Sequence, residues 1–225
     1  METLNNIVLT IQNYMSNYVL IIALLGAGLW FSFRLGFIQV RGFGEGMRRT
    51  FGGLFSKKGE AGADGMSSFQ ALATAIAAQV GTGNIAGAAT ALAIGGPGAI
   101  FWMWIAAFLG MATIYAEAIM AQKYKTVGAD GQVTGGPVYY IRAAFKGTFG
   151  KVLAGIFAIL ITLALGFMGN AVQSNSIAAS FHTAFGIPQW IMGLVVAVIA
   201  IFVFMGGMKR IAKVTETIVP FMAAL

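Results

Sequence analysis

The fold is decided by the stretch Ala77-Ala78-Gln79-Val80-Gly81-Thr82-Gly83-Asn84-Ile85-Ala86-Gly87, in the middle of an apolar segment that runs from about Ser68 to Ala93. The segment is long enough to cross a bilayer, which takes about 20 residues. Its centre nevertheless carries three polar side chains between the glycines, those of Gln79, Thr82 and Asn84. Polar groups and non-helical backbone at membrane depth are tolerated where they line a cavity or are buried in protein. The stretch therefore predicts a spanning helix interrupted near Gly81 to Gly83, with the candidate binding site at the interruption.

The composition is typical of a polytopic membrane protein. Hydrophobic residues make up 58% of the sequence and charged residues only 9%, whereas soluble domains have about 25% charged residues. The net charge of +7 does not indicate a nucleic-acid partner, because the basic residues lie in loops between apolar segments and fit a role in membrane topology. No cysteine is present, so a disulfide framework is excluded for this sequence.

Six membrane spans are predicted from the apolar runs. They cover about residues 18–33, 68–93, 99–121, 152–180 and 190–205, with a sixth that begins after Lys213 and has no closing flank at Leu225. If the loop after the first span is cytoplasmic, alternation places all 14 Lys and Arg residues on that side, in agreement with the positive-inside rule. This frame places the N-terminus outside, in a plasma membrane that we expect to be a bacterial inner membrane. The open end of the sixth span predicts a fragment of a longer protein.

A broken membrane helix offers two kinds of main-chain group to a ligand. N–H groups at the start of the outer half form a partly positive site for an anion, and carbonyls at the end of the inner half suit a small hard cation such as Na⁺. Two other interpretations of the stretch are weaker. Gly81-x-Gly83-x-x-Ala86 loosely matches a dinucleotide fingerprint but lacks the acidic residue expected about 20 residues later. Close helix packing explains the small residues and leaves the polar ones unexplained.

The fourth predicted span offers polar groups on one side of a helix. They are spaced three or four residues apart, at Thr162, Gly166, Asn170 and Gln173. We favour Gln173 and then Asn170 as substrate contacts, with interhelical hydrogen bonding as the alternative. Glu117 and Glu216 are the only acids in the apolar spans. For both we favour structural ion pairs over a proton relay, since Glu216 follows Lys213 by three residues.

Several motifs in order along almost the whole chain resemble the alanine or glycine:cation symporter family. They are Ser67-Ser68-Phe69-Gln70-Ala71-Leu72, the stretch from Gln79 to Gly87, Gly95-Gly96-Pro97-Gly98-Ala99, Ala116-Glu117-Ala118, Gly135-Gly136-Pro137-Val138-Tyr139-Tyr140-Ile141, Lys209-Arg210-Ile211-Ala212, Val214-Thr215-Glu216 and Val219-Pro220-Phe221. The resemblance implies an all-α membrane protein with a LeuT-type inverted-repeat fold. Residues 1–66 would hold the preceding helix and a cytoplasmic loop, and residues 67–225 the first five-helix repeat.

The resemblance also implies a function and a site. The expected activity is Na⁺-coupled symport of alanine or glycine by alternating access, with no enzymatic reaction and no organic cofactor. Backbone N–H groups of Thr82 and Gly83 would hold the substrate carboxylate. Asn84 and the Gln79 carbonyl would lie near one cation, while the Ala77 and Val80 carbonyls would form half of a second cation site. The missing C-terminal half of the same protein would complete the site. An ion channel and a structural membrane subunit are the alternative functions.

Overall fold

The structure, a computed structural model, describes residues 2–55, 68–128 and 133–224 and is almost entirely helical. Its helices are α1 (Glu2–Tyr14), π1 (Met15–Leu20), α2 (Ile21–Arg34), α3 (Ile38–Arg41), α4 (Phe43–Phe55), α5 (Ser68–Gln79), α6 (Thr82–Gly95), α7 (Gly98–Lys123), α8 (Pro137–Ala144), α9 (Thr148–Ile161), π2 (Thr162–Gly169), α10 (Asn170–Phe185), α11 (Gln189–Phe204) and α12 (Gly207–Ala224). Strands β1 (Thr126–Val127) and β2 (Val133–Thr134) pair in an antiparallel hairpin. Predictions that involve Lys57, Lys58, Ser67, Leu225 and the domain boundary between 66 and 67 lie outside the described residues.

Three continuous helices in this part of the chain are long and apolar enough to cross a membrane. They are Thr3–Arg34, Gly98–Lys123 and Thr148–Phe185. A fourth span is possible if Gln189–Phe204 and Gly207–Met222, which meet at a bend of 120°, are taken together. The six predicted spans therefore become three or four. The segment from Ser68 to Gly95 is not among them, because its break divides it into helices of 12 and 14 residues.

The two longest spans contain π-helical segments. In π1 and π2 the backbone hydrogen bonds close a wider ring than in an α-helix, a feature that is rare and frequent at functional sites. π2 lies in the middle of Thr148–Phe185, the span for which the sequence predicts substrate contacts. Because the residues per turn change inside π2, the face shared by Thr162 and Asn170 cannot be read from α-helical spacing alone.

Small residues bring the helices together. Most of the buried apolar positions are alanines, namely Ala73, Ala112, Ala116, Ala154, Ala178 and Ala212, with Leu109 and Val219. The most extensive helix–helix contacts are those of α5 with α12 and of α2 with α7. Without a hydrophobic driving force in lipid, such close packing of small residues is a main source of helix association. In the second pair Gly28 allows the approach, since a Cβ there would lie 2.8 Å from Leu109 Cβ and 3.0 Å from its carbonyl oxygen.

The two halves of the interrupted segment pack against different neighbours. α5 lies mainly against α12 and also contacts α4, whereas α6 lies against α7 and α10. α10 follows π2, so Gln173 in its first turn is carried close to the start of α6. The break between α5 and α6 is therefore a junction of two separately anchored helices, and the candidate site lies at this junction.

Candidate functional site

The predicted interruption is confirmed, two residues wide and slightly earlier than expected. α5 ends at Gln79, Val80 and Gly81 are non-helical, and α6 begins at Thr82, so Gly83 is already helical. Gly81 is extended, with φ −132° and ψ −178°. Extended backbone cannot continue the helical hydrogen-bond ladder, so the main-chain groups on both sides of Gly81 need other partners.

The carbonyls at the end of α5 have lost their usual acceptor roles. In a continuous helix the Ala77 oxygen would accept from the Gly81 N–H and the Val80 oxygen from the Asn84 N–H. Instead, the Gly81 N–H donates to Asn84 Oδ1 at 3.2 Å, and the Asn84 N–H donates to the Gly81 oxygen at 3.1 Å. The last helical bond of this end runs from the Val80 N–H to the Ile76 oxygen, at 2.8 Å. The carbonyls of Ala77, Gln79 and Val80 are therefore available to a cation.

The N–H groups at the start of α6 are the second half of the site. The Thr82 N–H donates to Oε1 of Gln173, 91 residues away in sequence, at 3.3 Å. The Gly83 N–H lies in the first turn of the same helix, and no side chain among the described residues accepts a hydrogen bond from it. Two N–H groups at a helix N-terminus are suited to a carboxylate, with the helix dipole adding a favourable field. Thr82, Gly83, Asn84 and Gln173 are thus brought together.

Gly81 allows the Gln173 side chain to reach this position. A Cβ at Gly81 would lie 2.6 Å from Gln173 Nε2 and 2.8 Å from its Oε1, closer than nonbonded atoms can approach. The hydroxyl oxygen of Thr82 is buried beside them and has no hydrogen-bond partner among the described residues. A buried hydroxyl without a partner is costly, so it marks a position where a ligand atom or a water would be stabilised.

Asn170 lies on the same helical span as Gln173, but its side chain is used elsewhere. Its Nδ2 donates to the Gly166 oxygen at 3.1 Å, within π2 and its junction with α10. The side chain of Thr162 similarly donates to the Ala158 oxygen at 2.8 Å. The structure therefore brings Gln173 to the break and leaves Asn170 on its own helix, so the role of Asn170 as a substrate contact stays a prediction.

Comparison with known proteins supplies the family. The sequence model described as "Sodium:alanine symporter family" matches residues 1–225. The chain belongs to the sodium:alanine symporter family. It is 44% identical over 220 residues to "Sodium/alanine symporter AgcS" of Methanococcus maripaludis, covering 97% of this chain and 48% of that protein. It is 42% identical over 224 residues to "Probable sodium/glutamine symporter GlnT" of Bacillus subtilis, covering 100% and 45%. With "Sodium/proton-dependent alanine carrier protein" of Bacillus sp. PS3 it shares 42% identity over 169 residues, covering 73% and 36%.

The chain spans about half the length of the curated relatives that it matches. Membership of the sodium:alanine symporter family confirms the predicted resemblance and makes the chain a multi-pass membrane protein rather than an enzyme. The apolar helices and the family both indicate a protein embedded in a membrane. The orientation of the N-terminus stays a prediction.

Among the described residues, Glu117 and Glu216 do not form the predicted ion pairs. Glu216 accepts a hydrogen bond from Gln70 Nε2 at 2.8 Å, and its pairing with Lys213 is not formed. Within the described residues the ion pairs are those of Glu45 with Arg48 and Arg49. The prediction for Glu216 was wrong because an amide on the neighbouring helix α5 lies closer than the lysine on its own helix. Sequence spacing identifies only partners on the same helix.

Some contacts of the predicted residues around the break were not predicted from the sequence. The unpartnered hydroxyl of Thr82 and the contact between Gly81 and Gln173 both depend on two helices that are distant in sequence. The polar residues Gln70 and Thr74, four residues apart on α5, carried a signal that helical spacing could have detected. Their partners on α12 could not have been deduced from that spacing.

Proposed function

We propose that the protein is a secondary carrier that couples the entry of alanine or glycine to Na⁺ across the plasma membrane. The single observation that carries this proposal is the separation of the Ser68–Gly95 segment into α5 and α6 at Val80 and Gly81. Freed carbonyls and freed N–H groups stand side by side there, as a cation and the carboxylate of an amino acid require. The family supports the same assignment.

In the proposed site each group has a role that follows from its chemistry. The N–H groups of Thr82 and Gly83 hold the substrate carboxylate, and the unpartnered Thr82 hydroxyl lies beside them. Asn84 and the Gln79 carbonyl lie near a cation next to the substrate. The Ala77 and Val80 carbonyls provide half of a second cation site, whose other ligands would come from a further part of the protein.

In this arrangement the side chain of Gln173 occupies the position proposed for the substrate carboxylate. Its neutral amide oxygen accepts from the Thr82 N–H at 3.3 Å, a long hydrogen bond. A carboxylate is a stronger acceptor than an amide, so an incoming amino acid would displace the Gln173 oxygen. The displaced amide would remain next to the substrate and contact it, as would Asn170 if its hydrogen bond to Gly166 opens.

The electrostatics of the site favour reciprocal binding of substrate and cation. The described residues near the break include no acidic side chain; Glu216 lies on α12 and bonds Gln70, nine residues before Gln79 on α5. The substrate carboxylate would then help to neutralise a neighbouring Na⁺, and each ligand would raise the affinity of the other by the same factor. The residues next to the break include the small Ala78, Gly81 and Ala86, which let surrounding helices approach closely and so favour a small substrate, alanine or glycine.

The proposed architecture is a LeuT-type inverted repeat with one preceding helix. Residues 67–225 would form its first repeat, and the bundle that contains α5, α6 and α12 would rock to expose the site to each side in turn. The protein would lie in a bacterial inner membrane, with its N-terminus on the outer side. The distribution of basic residues supports this orientation. The lipid bilayer and the small-molecule substrate are the expected partners.

The test is uptake of labelled alanine by membrane vesicles that contain the protein expressed from its complete gene. We expect saturable uptake that requires Na⁺. Asn84→Ala removes the acceptor of the Gly81 N–H, which costs about 1 kcal/mol for a helix cap, and we expect at least an about fivefold loss of uptake efficiency. The matched control is Thr90→Ala on the same helix, whose hydroxyl bonds only its own backbone, at Ala86.

Two outcomes would reject the proposal or part of it. Uptake that rises linearly with alanine and is independent of any cation gradient would favour a channel. An unchanged activity in Asn84→Ala would favour a structural role for the break. Competition of labelled alanine uptake by glycine, glutamine and leucine measures the substrate preference; glutamine appears in the name of one relative. Replacement of Na⁺ by a proton gradient tests the two coupling ions that appear in the name of another.

A further inference from the structure

A polar seam joins α5 to α12 at a distance from the break. We define it by its two interhelical hydrogen bonds. Gln70 Nε2 donates to Glu216 Oε2 at 2.8 Å, and the hydroxyl oxygens of Thr74 and Thr215 lie 3.1 Å apart. All four residues are half-buried. Intramembrane acids are expensive to retain and by default indicate a function, so the seam needs an explanation beyond helix packing.

The direction of the threonine bond can be deduced from the hydrogens available. Thr215 Oγ1 lies 3.1 Å from the Ile211 oxygen and 3.0 Å from the Ala212 oxygen, both of which can only accept. A hydroxyl has one hydrogen and two lone pairs. The arrangement that gives both hydroxyl hydrogens an acceptor has Thr215 donate to its own backbone and Thr74 donate across the seam. In that arrangement both interhelical bonds run from α5 to α12.

The seam lies beside buried apolar residues on both helices. On α5, Gln70 and Thr74 are one turn apart, with the buried Ala73 beside them. On α12, the seam residues lie between the buried Ala212 and Val219. The polar bonds thus fix the rotation and the height of α5 against α12, which apolar contacts between small residues leave less defined.

Within the described residues the seam holds α5 and does not involve α6. α6 packs against α7 and α10, so the two halves of the broken segment have separate anchors. The seam lies about one turn or more before the carbonyls of Ala77, Gln79 and Val80, at the end of the same rigid helix. A small movement of α5 against α12 would therefore displace those carbonyls and leave the N–H groups of α6 in place.

We propose that Thr215 and Glu216 are positioning residues for the cation half of the site. They do not contact a ligand, and they act through Thr74 and Gln70 by fixing the carbonyls at the end of α5. This inference rests on the proposed function and adds one specific expectation to it. Weakening the seam changes the affinity for Na⁺ more than the affinity for alanine.

The first experiment measures the half-saturation constants for Na⁺ and for alanine in Thr215→Val and in Thr217→Val. The two substitutions are chemically identical, but the Thr217 hydroxyl bonds only its own helix, at Lys213. For Thr215→Val we expect the Na⁺ constant to rise about threefold, equivalent to about 0.6 kcal/mol for one interhelical bond in a membrane. The alanine constant at saturating Na⁺ and both constants of Thr217→Val should stay within about twofold of wild type.

The second experiment uses conservative rescue at Glu216. Glu216→Gln keeps a carbonyl oxygen that can accept from Gln70, whereas Glu216→Ala removes the acceptor. We expect about a tenfold rise of the Na⁺ constant in Glu216→Ala, as for a lost bond to a charged group, and a smaller rise in Glu216→Gln. Equal effects of all these variants on Na⁺ and alanine, or a loss confined to the amount of folded protein, would overturn the proposal.

The third experiment is independent of transport. The 225 residues contain no cysteine, so an introduced pair can be followed without background from them. After mild oxidation and proteolysis, Thr74→Cys combined with Thr215→Cys should give two peptides joined by a disulfide. Thr74→Cys combined with Thr217→Cys should not. Absence of the first cross-link would overturn the seam whatever the transport data show. If the cross-link forms and wild type shows no cation-dependent uptake, the proposed function fails, and the positioning role fails with it.

Discussion

Gly81→Ala is the substitution that tests the candidate site most directly. The backbone of Gly81 is extended, a conformation that alanine adopts without strain. The added Cβ would lie 2.6 Å from Gln173 Nε2, 2.8 Å from its Oε1 and 3.0 Å from its Cδ. Only the end of a flexible side chain obstructs it, so we expect the helix break to persist and Gln173 to move away from the Thr82 N–H.

The cost of this movement can be worked out from the contacts that change. Gln173 loses its hydrogen bond to Thr82, about 0.6 kcal/mol in a membrane protein, and adopts a less favourable rotamer, about 0.5–1.5 kcal/mol. Because the substrate displaces the Gln173 oxygen in the proposed site, this total of about 1–2 kcal/mol opposes binding to wild type and does not oppose binding to Gly81→Ala, which corresponds to an about 5- to 30-fold lower half-saturation constant for alanine in the variant. The amount of folded protein should not fall, because replacing glycine with alanine at compatible backbone angles reduces the entropy of the unfolded chain.

Alanine uptake by vesicles provides the assay, and Gly87→Ala provides the control. A Cβ at Gly87 meets nothing within 4 Å, so the same chemical change on the same segment should leave the half-saturation constant unchanged. A double-mutant cycle with Gln173→Ala isolates the contact. We expect the effect of Gly81→Ala to shrink once Gln173 is truncated. If Gly81→Ala behaves like Gly87→Ala, or its effect simply adds to that of Gln173→Ala, the reasoning is refuted.

Two further predictions concern other parts of the chain. Gly28→Ala places a Cβ 2.8 Å from Leu109 Cβ and 3.0 Å from its carbonyl oxygen, so we expect a loss of about 1–3 kcal/mol from overpacking; thermal unfolding in detergent should show it, and Gly26→Ala, which meets nothing within 4 Å, should show none. Burial, followed by the charge of Glu117, raises the pKa of Tyr140 on α8, so this tyrosine contributes stability that is present below its unfolded pKa and is lost as the pH rises through its folded pKa. The pKa of Tyr140 can be measured by ultraviolet titration, as the difference between a protein with Tyr140 and the same protein carrying Tyr140→Phe. In Glu117→Gln we expect the pKa of Tyr140 to be raised less than in wild type. A full return to the pKa of an exposed tyrosine would contradict burial as the larger cause.

The break could be predicted because its cause is local. Gly81 and Gly83 weaken a helix by about 1 kcal/mol each, and Gln79, Thr82 and Asn84 offer alternative partners to the backbone within a few residues. The structure confirms that Asn84 takes the Gly81 N–H. The error of one or two residues in its position arose because composition does not say which glycine leaves the helix.

The number of spans was less predictable. Hydropathy and the distribution of charges identify apolar runs in the sequence. They do not show whether adjacent helical segments remain collinear, as a continuous spanning helix requires. α11 and α12 meet at 120°, and Gly207 at the start of α12 has a φ of +65°, a left-handed conformation that favours glycine. The sequence contains this glycine but does not specify that the chain bends there.

The sequence alone determined the membrane class, the place of the broken helix and the set of main-chain groups that the break releases. These follow from composition and from the conformational preferences of neighbouring residues. The tertiary structure decided which helices the two halves contact, that Gln173 rather than Asn170 reaches the Thr82 N–H, and that Glu216 bonds Gln70 rather than Lys213. Helical periodicity identifies the face on which a side chain lies, but the partner opposite that face depends on how distant helices pack.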